Sequence, residues 1–170
     1  MKKVTAVALA MLVTFALTGG PAAASEEQDH AALAKALKEA PLTLQRGLAA
    51  SAKGGKPISA KYEVEDGKLQ LSVYTVKGDK FSEVIVDHKT GKVAKTEPIT
   101  SGEDLTAAKA QSEAMAKAKR SLETAASTAV KENQGFRVVS VTPTLKDGHP
   151  VADVTLVKGE EWKTVSAKLE

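Results

Sequence analysis

The chain has 170 residues, no cysteine, 42% hydrophobic but only 4% aromatic residues, and a formal net charge of +3 from 24 basic and 21 acidic side chains. Without cysteine there is no disulfide framework and no thiolate metal site, and the lysines alternate with acids instead of clustering among aromatics, which argues against a nucleic-acid surface. The length suits one ordinary domain or two small ones, and with so few aromatics each unit is expected to bury only a small core.

The chain opens with Lys2-Lys3, an uncharged apolar run from Val4 to Leu17, then Gly19-Gly20-Pro21 and Ala22-Ala23-Ala24. A basic start, a short apolar run and a small-residue A-x-A exit read as a secretory signal peptide over residues 1–24, cleaved before Ser25. The run is shorter than the roughly 20 apolar residues that span a bilayer, so no stable membrane insertion is expected after cleavage. Loss of Lys2 and Lys3 lowers the net charge to +1. The expected location is the periplasm or the outside of the cell, without a lipid anchor, since no cysteine is present to carry one.

Three further segments divide the rest. Residues 25–97 form a first unit, 98–102 with Pro98 a linker, and 103–170 a second unit. Gln28 to Glu39 predicts a helix that stops before Pro41, and Thr43 caps a second running to about Lys53, ended by Gly54-Gly55 and Pro57. Ile58, Ala60, Tyr62 and Val64 then alternate with Ser59, Lys61, Glu63 and Glu65, the period of a half-buried antiparallel strand. Asp66-Gly67 suits a two-residue primed turn, which pairs Val64 with Leu69, Tyr62 with Leu71 and Ala60 with Val73. A loop from Lys77 to Lys80 sets Val73 against Val84 and Leu71 against Val86, and a turn over Asp87 to Val93 sets Val86 against Val93 and Asp87 against Lys92. The first unit is therefore a four-stranded meander.

The second unit repeats this pattern 81 residues later: Gly67 and Gly148, Gly78 and Gly159, Phe81 and Trp162 correspond. Val139, Val141, Pro143 and Leu145 take the inward positions, Asp147-Gly148 the turn, and Val154 with Val165 and Ala152 with Ala167 the next pairing. Ser101-Gly102-Glu103-Asp104 reads as a helix start, and Ala108, Met115, Leu122 and Ala129 fall on a seven-residue stripe, predicting one long or once-bent helix from Glu103 to about Glu132. Its last part, Ser121 to Lys131, takes the place of the Thr43 helix. The strand Lys163 to Leu169 is expected to end as a sheet edge, either open to an added peptide strand or filled by the first unit's sheet.

A helix followed by a meander with a Tyr/Val-rich first strand, a D-G turn, a V-x-x-x-x-F hairpin and Val86-Asp87-His88-Lys89-Thr90-Gly91-Lys92-Val93 resembles the PepSY domain family, well over Thr43 to Glu97 and more weakly over Ser121 to Glu170, where the last motif is missing. The resemblance implies an α+β fold of two tandem repeats, each a helix packed on a small antiparallel meander. It also implies a non-catalytic exported protein of the cell envelope that binds or restrains a peptidase or an extended peptide, because such domains occur in peptidase propeptides and small secreted proteins.

No nucleophile–base motif, metalloprotease helix or phosphate loop is present, so no enzymatic activity is expected. His30, His88 and His149 each lie within two residues of an acid; His88 and His149 are expected to be exposed turn residues, and His30 to open a helix. A metal ion is the one cofactor considered, in an alternative reading that makes the protein an envelope metal binder through Asp66, Asp79, Glu83, Asp87 and His88. The partner-binding candidates are apolar: the register that turns valines inward places Tyr74, Val76, Phe81 and Ile85 together on the opposite face, and Val157 beside Trp162 in the second unit. Such residues either stabilise cross-strand pairs or form a contact patch for a protein or peptide.

Overall fold

A computed structural model describes residues 21–170, with side chains from Gln28 onward. The expected signal peptide therefore lies almost entirely outside the described residues. Among these, no helix is long and apolar enough to cross a membrane.

Over the described residues the fold is mixed α/β, with four helices and one seven-stranded antiparallel sheet. The chain runs α1 (Pro21–Leu37), α2 (Leu44–Ser51), β1 (Lys56–Glu65), β2 (Lys68–Lys77), β3 (Lys80–Val86), β4 (Val93–Ile99), α3 (Gly102–Lys117), α4 (Leu122–Glu132), β5 (Arg137–Lys146), β6 (His149–Lys158) and β7 (Glu161–Lys168). The strand order is β4-β3-β2-β1-β5-β6-β7.

The turns set the register. Asp66 and Asp147 hold φ of 49° and 52°, each followed by a glycine at positive φ, the backbone that a primed hairpin turn demands and that Asp-Gly adopts at low cost. Val64 then faces Leu69, Tyr62 faces Leu71 and Ala60 faces Val73. Lys77 and Lys80 close the next hairpin around Gly78-Asp79, bringing Val73 to Val84 and Leu71 to Val86. In the second half Val154 meets Val165 and Ala152 meets Ala167. Bulges fall at Pro57/Ser59 and at Val138/Ser140, the same offset that separates the turns.

The two half-sheets join through β1 and β5, where Ala60 pairs with Val141 and Lys61 with Ser140. The alternative in which the first sheet fills the edge at Lys163 to Leu169 is thereby overturned: β7 pairs with β6 and with no other described strand. Joined in this way the halves share one hydrophobic cluster, running from Leu44 and Leu71 to Val154 and Leu156, instead of two small cores.

Thr43 and Ser121 cap α2 and α4 by accepting from the backbone N–H three residues on. The two helices lie side by side on the face that carries Leu71 and Val73. Gly47 presses so closely on β2 that a Cβ there would stand 2.4 Å from Leu71 Cδ2.

The long or once-bent helix expected from Glu103 to about Glu132 is two separate helices. Ala118 turns extended at φ −74°, ψ 137°, and the backbone N–H groups of Lys119 and Arg120 donate to the Leu169 carbonyl, which ties the break to the end of β7. Ala108, Met115, Leu122 and Ala129 are all buried as their spacing requires. Their two pairs nevertheless serve different helices, because α3 crosses to the other face of the sheet. There the Ser59 hydroxyl bonds Gln111 Oε1 at 2.7 Å, and Lys56 donates to the Met115 carbonyl near the negative end of α3. β4 also runs to Ile99, two residues into the expected linker, with Phe81 paired to Ile99 across Pro98 on an edge strand that tolerates proline.

Candidate functional site

Tyr74, Val76, Phe81 and Ile85 do share one face, since Tyr74 pairs with Glu83 and Val76 with Phe81. All four are half-buried, and α3 lies over β5, β6 and β1 and reaches β2, but does not extend over β3 and β4. Ile99, opposite Phe81, extends the strip. Sequence reasoning missed it because Pro98 was taken for linker; the signal that could have found it is the register itself, continued two residues further. The result is a half-open apolar strip across β2, β3 and β4.

A polar network borders it. Lys61 Nζ pairs with Glu63 Oε2 at 2.7 Å, Ser72 donates to Glu63 Oε1 at 2.9 Å, Gln70 donates to Ser72, and Lys61 Nζ stands 5.8 Å from the Tyr74 ring centre. Lys61 and Glu63, on the polar side of β1, are thus half-enclosed. Burial pushes the Tyr74 phenol up to about 12, against the pull of Lys61 and with Glu83, Glu63 and Asp104 adding to the rise. Glu83 is also raised, chiefly by burial, with the Ser72 hydrogen bond opposing. Desolvation alone would lower Lys61, but Tyr74 and Glu63 more than offset it, leaving its pKa raised.

The second-unit pair is placed differently. Val157 is only 6% exposed and belongs to the core, which removes it as a contact residue. Trp162 faces Val157 and stacks on His30 of α1, ring centres 4.2 Å apart and 12° from parallel. The structure therefore separates the six apolar candidates into an open strip at β2–β4 and a covered tryptophan at the far edge.

α1 is fastened at its other end too. The Arg137 guanidinium donates to the carbonyls of Leu37, Ala40 and Leu42 at 2.6–2.8 Å and lies over the Tyr62 ring, while the Tyr62 hydroxyl donates to the Leu42 carbonyl at 2.6 Å. These groups satisfy the open carbonyls at the end of a helix and its exit, a task that nothing in the local sequence assigns to Arg137.

The metal candidates are dispersed. Asp66 and Asp79 occupy turns at opposite ends of β2, and Glu83 sits in the middle of β3. Asp87 caps its own turn: Oδ1 accepts from the Lys89 and Thr90 N–H groups, and these bonds lower its pKa. Its backbone pairs with Lys92 as expected, but its carboxylate is spent on amides. His88, expected in solvent, has its Nδ1 buried without a partner. His149 bonds the exposed Glu170 at 2.6 Å, and that bond lowers Glu170. Among the described residues no three His, Asp or Glu side chains converge as an ion would require. A cavity of about 370 Å³ opens between α2 and the α3–α4 junction, lined by Leu48, Met115 and Leu122 with Lys56, Lys119 and Arg120 at its rim.

Residues 30–97 match the PepSY family model, described as peptidase propeptide and YPEB domain. The match covers the second half of α1, α2, β1 to β3 and β4 as far as Glu97, and stops before α3. No curated protein matches the sequence. Among solved structures, a candidate lipoprotein from Clostridium difficile 630 is similar, with 19% identity, a TM-score of 0.40, and coverage of 69% of this chain and 78% of that one. A likeness at that level carries no argument.

Proposed function

We propose that the protein is a non-catalytic, exported interaction protein of the cell envelope, built from two PepSY-like copies, that binds or restrains a peptidase or an extended peptide. The family match over residues 30–97 supports the class of function, since its description names peptidase propeptides. The second copy, residues 103–170, rests on the common offset of turns and bulges in the two halves. The observation that carries the binding reading is the strip Tyr74, Val76, Phe81, Ile85 and Ile99, half-buried and half-open, which α3 reaches at β2 and leaves uncovered over β3 and β4. Glu83 and Glu97 lie in the row between Phe81 and Ile85, with Lys95 paired to Glu97, and such a mixture of apolar and charged groups is the composition of a non-obligate protein contact.

A photocrosslinker at position 85, used in native envelope extract, should capture a peptidase whose activity falls when the purified protein is added. Phe81→Ser is expected to lose both capture and inhibition while keeping the circular-dichroism spectrum. Capture that is indifferent to Phe81→Ser would place the contact elsewhere and sink the strip as its site.

A further inference from the structure

The two edges of the sheet are unlike. β4 carries Pro98 and Lys95, and its pairing with β3 is broken by an irregularity between Ile85 and Val86. Proline, lysine and bulges are the devices by which edges avoid further pairing. β7 has no proline, and its eight pairs with β6, from Lys158–Glu161 to Val151–Lys168, run without a shift.

Which backbone groups of β7 face outward follows from one bond. The Leu169 N–H donates to the Pro150 carbonyl, so that pair is of the hydrogen-bonded kind although proline returns no bond, and alternation then turns the N–H and C=O of Trp162, Thr164, Ser166 and Lys168 away from β6. In the first half the residues at the same offset, Phe81, Glu83 and Ile85, are those opposite Ile99, Glu97 and Lys95 of β4. β7 is thus related to β6 as β3 is to β2, with the place of β4 empty among the described residues. Lysines lie near both ends of it, among the exposed acids Glu160, Glu161 and Glu170. Lys158 and Lys163 both lie over the Phe136 ring, at 5.8 and 4.2 Å, and Lys168 closes the strand.

We propose that the edge of β7 is a docking site for an extended peptide, which adds antiparallel to β7 in the place that β4 holds beside β3, with an apolar residue opposite Trp162 and acidic residues to meet Lys163 and Lys168. It deepens the interaction reading above by naming a ligand class, on a surface separate from the Phe81 strip. Backbone bonds to Trp162, Thr164, Ser166 and Lys168 hold the peptide, and the residue opposite Trp162 fixes its register, as Ile99 does opposite Phe81.

The test uses the mature protein and two synthetic peptides: the β4 sequence of residues 92–100, and the same peptide with Lys95→Glu. Trp162 is the only tryptophan, so its emission reports the site directly. Both peptides should shift it saturably, the acidic one more tightly at low salt and with that advantage lost at high salt. N-methylation of alternate peptide residues should weaken binding roughly tenfold or more, because the ladder bonds are lost while the protein is untouched. Thr164→Pro should do the same, since it removes an outward N–H and no bond to β6, whereas Phe81→Ser should have no effect. No saturable shift with either peptide overturns the proposal, as does binding that survives both N-methylation and Thr164→Pro. Loss with Phe81→Ser alone moves the ligand to the β2–β4 strip, which keeps the interaction reading and overturns this one. A concentration-dependent dimer abolished by Thr164→Pro assigns the edge to a second copy of the chain and overturns the peptide.

Discussion

In the hairpin β1–β2, Gly47 of α2 leans on Leu71; at the same distances from their caps and turns, α4 and β6 carry Ala125 and Ala152, both buried. A large residue under glycine in one half stands where two small residues meet in the other. Tyr62, whose hydroxyl reaches Leu42, likewise corresponds to the buried Pro143. The Asp-Gly turns, the bulges and the inward valines do not vary in this way. Register comes from backbone conformation at a few turn residues and tolerates exchange of side chains around it, while the core between helix and sheet is conserved in volume rather than identity.

The largest break in that comparison should come from its largest buried side chain. Leu71→Ala is expected to cost about 2–5 kcal/mol in urea unfolding through lost burial and the cavity left behind. Gly47→Ala should cost about 1–3 kcal/mol by overpacking, although Gly→Ala in a helix ordinarily gains about 1 kcal/mol. The double variant should be less destabilised than the sum of the two, since removing Leu71 makes room for the new methyl. A stabilised Gly47→Ala would show that the two halves are not exchanging volume at this contact.

A pH experiment sharpens the contrast between the outer faces. Tyr74, held near 12 by burial, corresponds to Thr155, which does not titrate in that range. A folded pKa above the ordinary value of 10.0 means that the stabilisation is complete below pH 10 and is lost as pH rises through about 12. Tyr62 is raised in the same direction by burial, with Arg137 opposing, so part of the alkaline decline belongs to it. Tyr74→Phe should flatten the fall in melting temperature between pH 10 and 12, and Thr155→Val should leave it unchanged. The smallest effect is expected at the exposed pair Lys95–Glu97 on β4: Lys95→Ala should stay within about 0.5 kcal/mol in the same assay. A larger loss there would mean that the β4 edge is held by more than its ladder.

Strands, turns and caps were legible in the sequence because each rests on neighbours in the chain: period-two alternation, Asp-Gly at positive φ, Thr43 and Ser121 before their helices. The sharing of one face by Tyr74, Val76, Phe81 and Ile85 followed from that register alone. What the sequence could not decide was how the pieces meet. The β1–β5 seam, the passage of α3 to the other face, Arg137 on the carbonyls of Leu37, Ala40 and Leu42, and His30 against Trp162 all join residues far apart in the chain. Their partners are chosen by which surfaces remain to be buried once the hairpins exist. The seven-residue stripe of α3 and α4 shows the limit: its spacing determined that Ala108, Met115, Leu122 and Ala129 would be buried, but only the sheet, with two faces to cover, decided that they would be buried on separate helices.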